Sequence, residues 1–120
     1  MTIVKGSAEN ARTDNWSVQN GEFVEGDDIQ TTSHLFVDQN ETIVHVHVKG
    51  EHGWVTASSD YRYYIVSGEL VFEFEIADEV ECVSGESLLI PAGVRYNYRP
   101  KFPEHPAETI LFMSSLWVEA

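Results

Sequence analysis

The stretch Gly85-Glu86-Ser87-Leu88-Leu89-Ile90-Pro91-Ala92-Gly93-Val94-Arg95-Tyr96 decides how this chain folds. Gly85 closes a turn with Ser84, and the residues from Ser87 to Ile90 read as a short buried strand. Pro91-Ala92-Gly93 is then a tight turn: proline pre-sets one backbone angle, and glycine supplies positive φ without a steric penalty. Val94 to Tyr98 returns as the next strand. The stretch is therefore a hairpin-like unit with no helical periodicity.

Working outward, the same period of two recurs. Thr31–Val37, Thr42–Val48, Arg62–Val66, Glu69–Ile76 and Thr109–Leu116 are short runs rich in β-branched or aromatic residues. In the run from Glu69, Leu70, Phe72, Phe74 and Ile76 share one face, with Glu73 and Glu75 on the other. Turn residues separate the runs at Asn20-Gly21, Gly26-Asp27-Asp28, Gly50, Gly53 and Ser67-Gly68. Pro100, Pro103 and Pro106 mark a loop before the last strand. Apolar residues nowhere keep helical spacing for three turns, so the expectation is an all-β domain, closed or sandwiched.

The chain has 120 residues, one domain's worth, and its 42% apolar content suffices for a single core. Residues 1–15 are polar and unpatterned and read as an N-terminal arm, available for a dimer contact; 16–120 read as the barrel. A formal charge of −13 repels polyanions, so neither nucleic acid nor an anionic membrane is an expected partner. The single cysteine, Cys82, excludes an internal disulfide and a cysteine zinc cluster; it reads as a small buried residue, with no cationic neighbour in sequence to activate it. No signal-like or membrane-spanning apolar run is present, so a soluble cytoplasmic protein is expected.

Two segments carry a family resemblance. Gly85, Pro91 and Gly93 keep the spacing of the second cupin motif, G-x5-P-x-G-x2-H-x3-N. Tyr64-Ile65-Val66-Ser67-Gly68-Glu69 is similar to the tail of the first, E-x2-Y-V-L-x-G-E. The chain thus resembles the cupins between about Trp54 and Tyr98. The resemblance implies a jelly-roll β-barrel (a double-stranded β-helix), an internal ligand pocket and a homodimer. It also implies where a divalent metal would sit, on two His and a Glu of the first motif and the His of the second. Here the Glu position is Tyr61 and the second-motif His is Tyr96, while Pro100 takes the Asn position. The two His positions fall on Trp54 and Thr56, or on Val55 and Ala57 if the spacer is one residue shorter. None of these sets makes a normal metal site, and no cofactor is expected.

If positions 61 and 96 face inward, strand parity brings Tyr63 and Tyr98 with them. The expected ligand pocket is Trp54, Thr56, Tyr61, Tyr63, Tyr96 and Tyr98, suited to stacking and orienting a flat or sugar-like small molecule. The plainer alternative is that these aromatics fill the barrel. His45 and His47 share one face of their strand, opposite Val44, Val46 and Val48, which make the more natural core face. They read as exposed or interface residues, or as a displaced metal site with His52. His34 is ambiguous, His105 reads as solvated, and Arg95 should face away from Tyr96 and pair with surface carboxylates. The leading functional reading is a small-molecule-binding protein without the usual metal. Its rivals are a metal-independent isomerase or epimerase-type enzyme using Tyr and His as acid and base, with His45, His47 or His34 as base; a metal enzyme built on His45 and His47; and a packed dimerisation module.

Overall fold

The computed structural model describes residues 3, 5–7, 13–20, 22–26, 29–37 and 41–114. It has eleven strands: β1 (Thr13–Gln19), β2 (Glu22–Glu25), β3 (Gln30–Val37), β4 (Thr42–Val48), β5 (Val55–Thr56), β6 (Tyr61–Ser67), β7 (Glu69–Phe74), β8 (Val80–Val83), β9 (Ser87–Ile90), β10 (Arg95–Pro100) and β11 (Ala107–Met113). They form a seven-stranded sheet, β2-β1-β3-β4-β11-β6-β9, and a four-stranded sheet, β5-β10-β7-β8. Every pairing among the described strands is antiparallel. Consecutive strands repeatedly cross from one sheet to the other, which is the jelly-roll arrangement.

The core follows from side-chain alternation. On β4, Val44, Val46 and Val48 are buried, and on β11 so are Ala107, Thr109, Leu111 and Met113. All of these but Thr109 belong with Leu70 and Phe72 of β7 and Tyr96 and Tyr98 of β10 to one continuous apolar cluster. Burying each such aliphatic side chain contributes about 1.5–3 kcal/mol. Gly85 and Gly93 adopt φ of 90° and 88°, the conformations their turns demand. The Gly93 N–H donates to the Ala57 carbonyl at 2.8 Å, tying the Pro91-Ala92-Gly93 turn to the end of β5.

The strands expected at Thr42–Val48 and Ser87–Ile90 have those limits, and the five others shift at their ends. β1, β2, β5 and β8 are additional, and β1 begins at Thr13, inside the segment expected to be an arm. The rest of that arm, the 21 and 27–28 turn positions and the last two residues of the expected final strand are mostly outside the described residues. Ile76 does not join the core face: β7 stops at Phe74, the chain bends, and Ile76 is 79% exposed. Pro100 is not loop but the buried last residue of β10, opposite Leu70. Its missing N–H is tolerated there because that position faces away from β7, on the side where β5 pairs only with Arg95 and Tyr96.

Candidate functional site

Four of the six residues expected in the pocket are buried: Tyr61, Tyr63, Tyr96 and Tyr98. The Tyr63 and Tyr96 hydroxyls lie 2.7 Å apart, so one phenol donates to the other and each satisfies its partner. Burial pushes the phenols of Tyr63, Tyr96 and Tyr98 well above their ordinary pKa, so all three stay protonated donors at neutral pH. The Tyr61 hydroxyl turns elsewhere, 2.7 Å from Ser58 Oγ and accepting from the Ser58 N–H at 3.3 Å.

Trp54 and Thr56 do not join them. In the β5–β10 pair Val55 lies opposite Tyr96 and Thr56 opposite Arg95. Residues directly opposite in a ladder share a face, so Val55 goes inward with Tyr96 while Thr56 goes outward with Arg95. Val55 and Ala57 are accordingly buried and Thr56 is exposed. The Arg95 guanidinium sits over the Trp54 ring at 5.5 Å and pairs with Glu75 at 3.0 Å.

The barrel is not filled solid. A cavity of about 330 Å³ lies between the inward face of β1 to β4 and Tyr63, Tyr98 and Leu111. Tyr63 and Tyr98 are the two residues of the expected pocket that line it. The remaining wall comes from the N-terminal third and the β4–β5 loop: Asp14, Trp16, Phe23, Glu25, Thr32, His34 and His52 among them. Parity explains the strand residues, since Asp14 lies opposite Thr32 and Trp16 opposite Gln30 across β1–β3, with Thr32 in turn opposite Val46 of the core face. Trp16 Nε1–H donates to Thr32 Oγ1 at 3.3 Å, and His34 Nε2 approaches Asp14 Oδ2 at 3.1 Å. No lysine or arginine is among the lining residues, whereas Asp14 and Glu25 are.

His52 is the buried imidazole on this wall. Its ring stacks on Tyr98 at 4.4 Å and on Tyr96 at 5.9 Å, while Trp16 meets it edge-on at 5.3 Å. The backbone holds it there: the His52 N–H donates to the Tyr98 carbonyl at 2.7 Å, and the Gly53 N–H donates to Asn97 Oδ1 at 2.7 Å. Asn97 is buried and its own amide donates to Glu51 at 2.9 Å and Glu73 at 3.2 Å. Position 53 must be glycine on two counts, a φ of +96° and a Cβ position 2.7 Å from Val18 Cβ. His52 Nδ1 lies 2.7 Å from the Gly53 carbonyl, which only accepts, so the neutral ring carries its proton on Nδ1 and its lone pair on Nε2. Burial lowers the pKa of His52 to about 4, and the ring is neutral at physiological pH.

The residues at the ordinary cupin metal positions, Val55, Ala57, Tyr61 and Tyr96, do not fit a divalent ion, because they offer two alkyl groups and two phenols, the Tyr96 phenol held protonated by burial. His45 and His47 lie on the outer face of β4, opposite to the buried valines, and near Glu108 rather than His52. His34 is on the cavity wall, and His105 is exposed in the loop after β10. Cys82 is buried, with its thiol pKa pushed up by burial.

Sequence reading missed His52 as a wall residue, together with Asp14 and Trp16. The alternation Asp14-x-Trp16-x-Val18 was there to be read, but polar neighbours on both sides dilute it. His52 precedes a turn glycine, a position from which periodicity gives no direction.

No protein-family model matches this sequence, and no curated protein matches it. Solved structures do match the fold. Pac13 of Streptomyces, a nucleoside dehydratase, is 22% identical over 98% of this chain and 87% of its own, with a TM-score of 0.71. Variants of it have been solved with uridine. A cupin-2 domain protein of Shewanella frigidimarina is 19% identical over 69% of this chain and 78% of its own, at a TM-score of 0.61. The hydroxypropylphosphonic acid epoxidase of S. wedmorenis is 11% identical over 92% of this chain and 59% of its own, at 0.75. The class defined by fold is therefore the cupin-type jelly-roll barrel. Within that class, this barrel combines metal positions that hold no suitable ligands with an aromatic, acidic-edged cavity around His52.

Proposed function

We propose that the chain binds a small, uncharged, nucleoside-like molecule in the cavity beside His52. The observation that carries this reading is the wall itself. Trp16, Tyr63 and Tyr98 offer ring faces, and Asp14, Thr32 and Glu25 offer polar atoms for hydroxyl or amide groups. Its volume of about 330 Å³ is at the small end for a ligand site, which suits a nucleoside or a single modified sugar. The uridine complexes of Pac13, a protein of like fold, support the same ligand class. Titration calorimetry with uridine and other nucleosides tests it. Saturable one-to-one binding that weakens in Trp16→Ala is expected, and the absence of saturation across nucleosides would count against it.

A second reading is favoured by the neutral His52: metal-independent proton-transfer chemistry on that ligand, elimination of water being the class best served. In such a step Nε2 takes a proton from the carbon beside a sugar carbonyl, the C–H electron pair passes to the carbonyl as an enolate oxyanion, and its return forms the C=C bond as the β C–O bond breaks. The imidazolium then gives the same proton to the departing hydroxyl, which leaves as water, and the ring returns to neutral. A histidine held at a pKa of about 4 is a weak base but a strong acid once charged, so it hands its proton on readily. Tyr98, and Tyr63 when it accepts from Tyr96, are the phenols on the cavity wall that donate to the oxyanion formed on the way. Incubation with nucleosides oxidised at the sugar, followed by mass spectrometry, should show loss of one water that His52→Gln abolishes.

A further inference from the structure

The outer face of the large sheet carries a second cluster, on the opposite side of β4 from the cavity and independent of it. His45 and His47 project from alternate positions of β4, and Glu108 of β11 is directly opposite His47 in the ladder. Glu108 Oε2 lies 3.3 Å from His45 Nε2 and Oε1 lies 3.8 Å from His47 Nε2, with the two rings edge to face at 4.9 Å. Among the described residues this is the group of three side chains whose ligand atoms all fall within 4.8 Å of one another.

We infer that His45, His47 and Glu108 form a binding site for a divalent transition metal ion on the outside of the barrel. The spacing is the argument. A tetrahedral zinc ion about 2.0–2.1 Å from each ligand holds its ligands about 3.3 Å apart. The separation of His45 Nε2 from Glu108 Oε2 has that value, His47 Nε2 lies 3.8 Å from the other carboxylate oxygen, and one ligand atom of each residue lies within 4.8 Å of the other two, so side-chain rotation closes the set on an ion. Two imidazoles and one carboxylate are a donor set for zinc, nickel or copper rather than calcium or magnesium. The strand register fixes two ligands on one strand and the third on its neighbour, so little conformational freedom is lost on binding. The chain's net charge of −13 draws cations to the surface. The His47 side chain is 42% exposed, which leaves a path for the ion and room for water as fourth ligand. An ion there would staple β4 to β11 in the middle of the sheet.

The test uses the full chain without a histidine tag, stripped with chelator and titrated with Zn²⁺. Saturation at one equivalent is expected, with a rise in melting temperature, since an ion that binds only the folded state stabilises it. His47→Ala and Glu108→Gln, at partly exposed positions, should each weaken binding more than about tenfold, because even outer-shell partners are worth about 10–100-fold. His52→Gln should bind as the wild type does. Imidazole NMR signals of His45 and His47, but not of His52 and His34, should shift with added Zn²⁺ in the unmodified chain. Failure to saturate, or wild-type affinity in both variants, or a shift confined to other histidines, overturns the assignment.

Discussion

The imidazole of His52 stacks on the ring of Tyr98 with centroids 4.4 Å apart and planes inclined by 26°. Tyr98 also accepts the His52 backbone N–H through its carbonyl, so one residue positions both the chain and the ring. Whatever enters the cavity therefore meets an imidazole fixed in place before it arrives, which lowers the ordering cost of binding.

The buried His52 should make stability depend on pH. Its pKa is about 4 when folded and near 6.5 when the chain is unfolded. Between these values the unfolded state takes up the proton and the folded state does not. The contribution is thus fully present above pH ~6.5 and is lost as pH falls towards ~4, to the extent of about 3 kcal/mol. Denaturant melts from pH 7 to pH 4.5 should show a decline that is shallower in His52→Gln. An equal slope in both proteins would contradict it.

The Tyr63–Tyr96 hydroxyl pair is expected to couple energetically. Tyr63→Phe or Tyr96→Phe alone leaves a buried phenol without its partner and should cost about 1–3 kcal/mol. The double variant should cost less than the sum, with a coupling of about 1 kcal/mol in a double-mutant cycle. Additive losses would mean that each phenol finds another partner.

Gly53→Ala should be costly well beyond its size. The added methyl meets Val18 at 2.7 Å and the backbone is held at positive φ, each a cause of strain. A loss of about 1–3 kcal/mol is expected, together with weaker ligand binding, because the displaced loop carries His52. Thermal melts and calorimetry on the same preparation measure both.

Charge should set the ligand preference. Asp14 and Glu25 line the cavity and no lysine or arginine does, so a phosphate would enter without a counter-charge. Uridine is expected to bind at least tenfold more tightly than its 5′-monophosphate. Asp14→Asn should narrow that gap.

The barrel was legible because its signals are local. Gly85, Pro91 and Gly93 fix two turns, and the valines of β4 fix a core face with His45 and His47 outside it. The site was legible only in half. Tyr63 and Tyr98 follow from parity once position 96 points inward, but Trp54 and Thr56 were placed one residue out of phase. A one-residue slip exchanges the faces of a strand, and the two residues of β5 are too few to fix register by pattern. The opposite wall depends on β1 crossing beside β3 and on a loop returning over Tyr98, which are long-range pairings with no local signature.

The most direct test of the account is a histidine-selective ¹⁵N NMR titration of the full chain at pH 7 with uridine. The account predicts that His52 is neutral with its proton on Nδ1, and that its Nε2 resonance shifts saturably as the nucleoside fills the cavity. A His52 ring that is charged at that pH, or that stays unmoved by uridine and every other nucleoside tried, would contradict it.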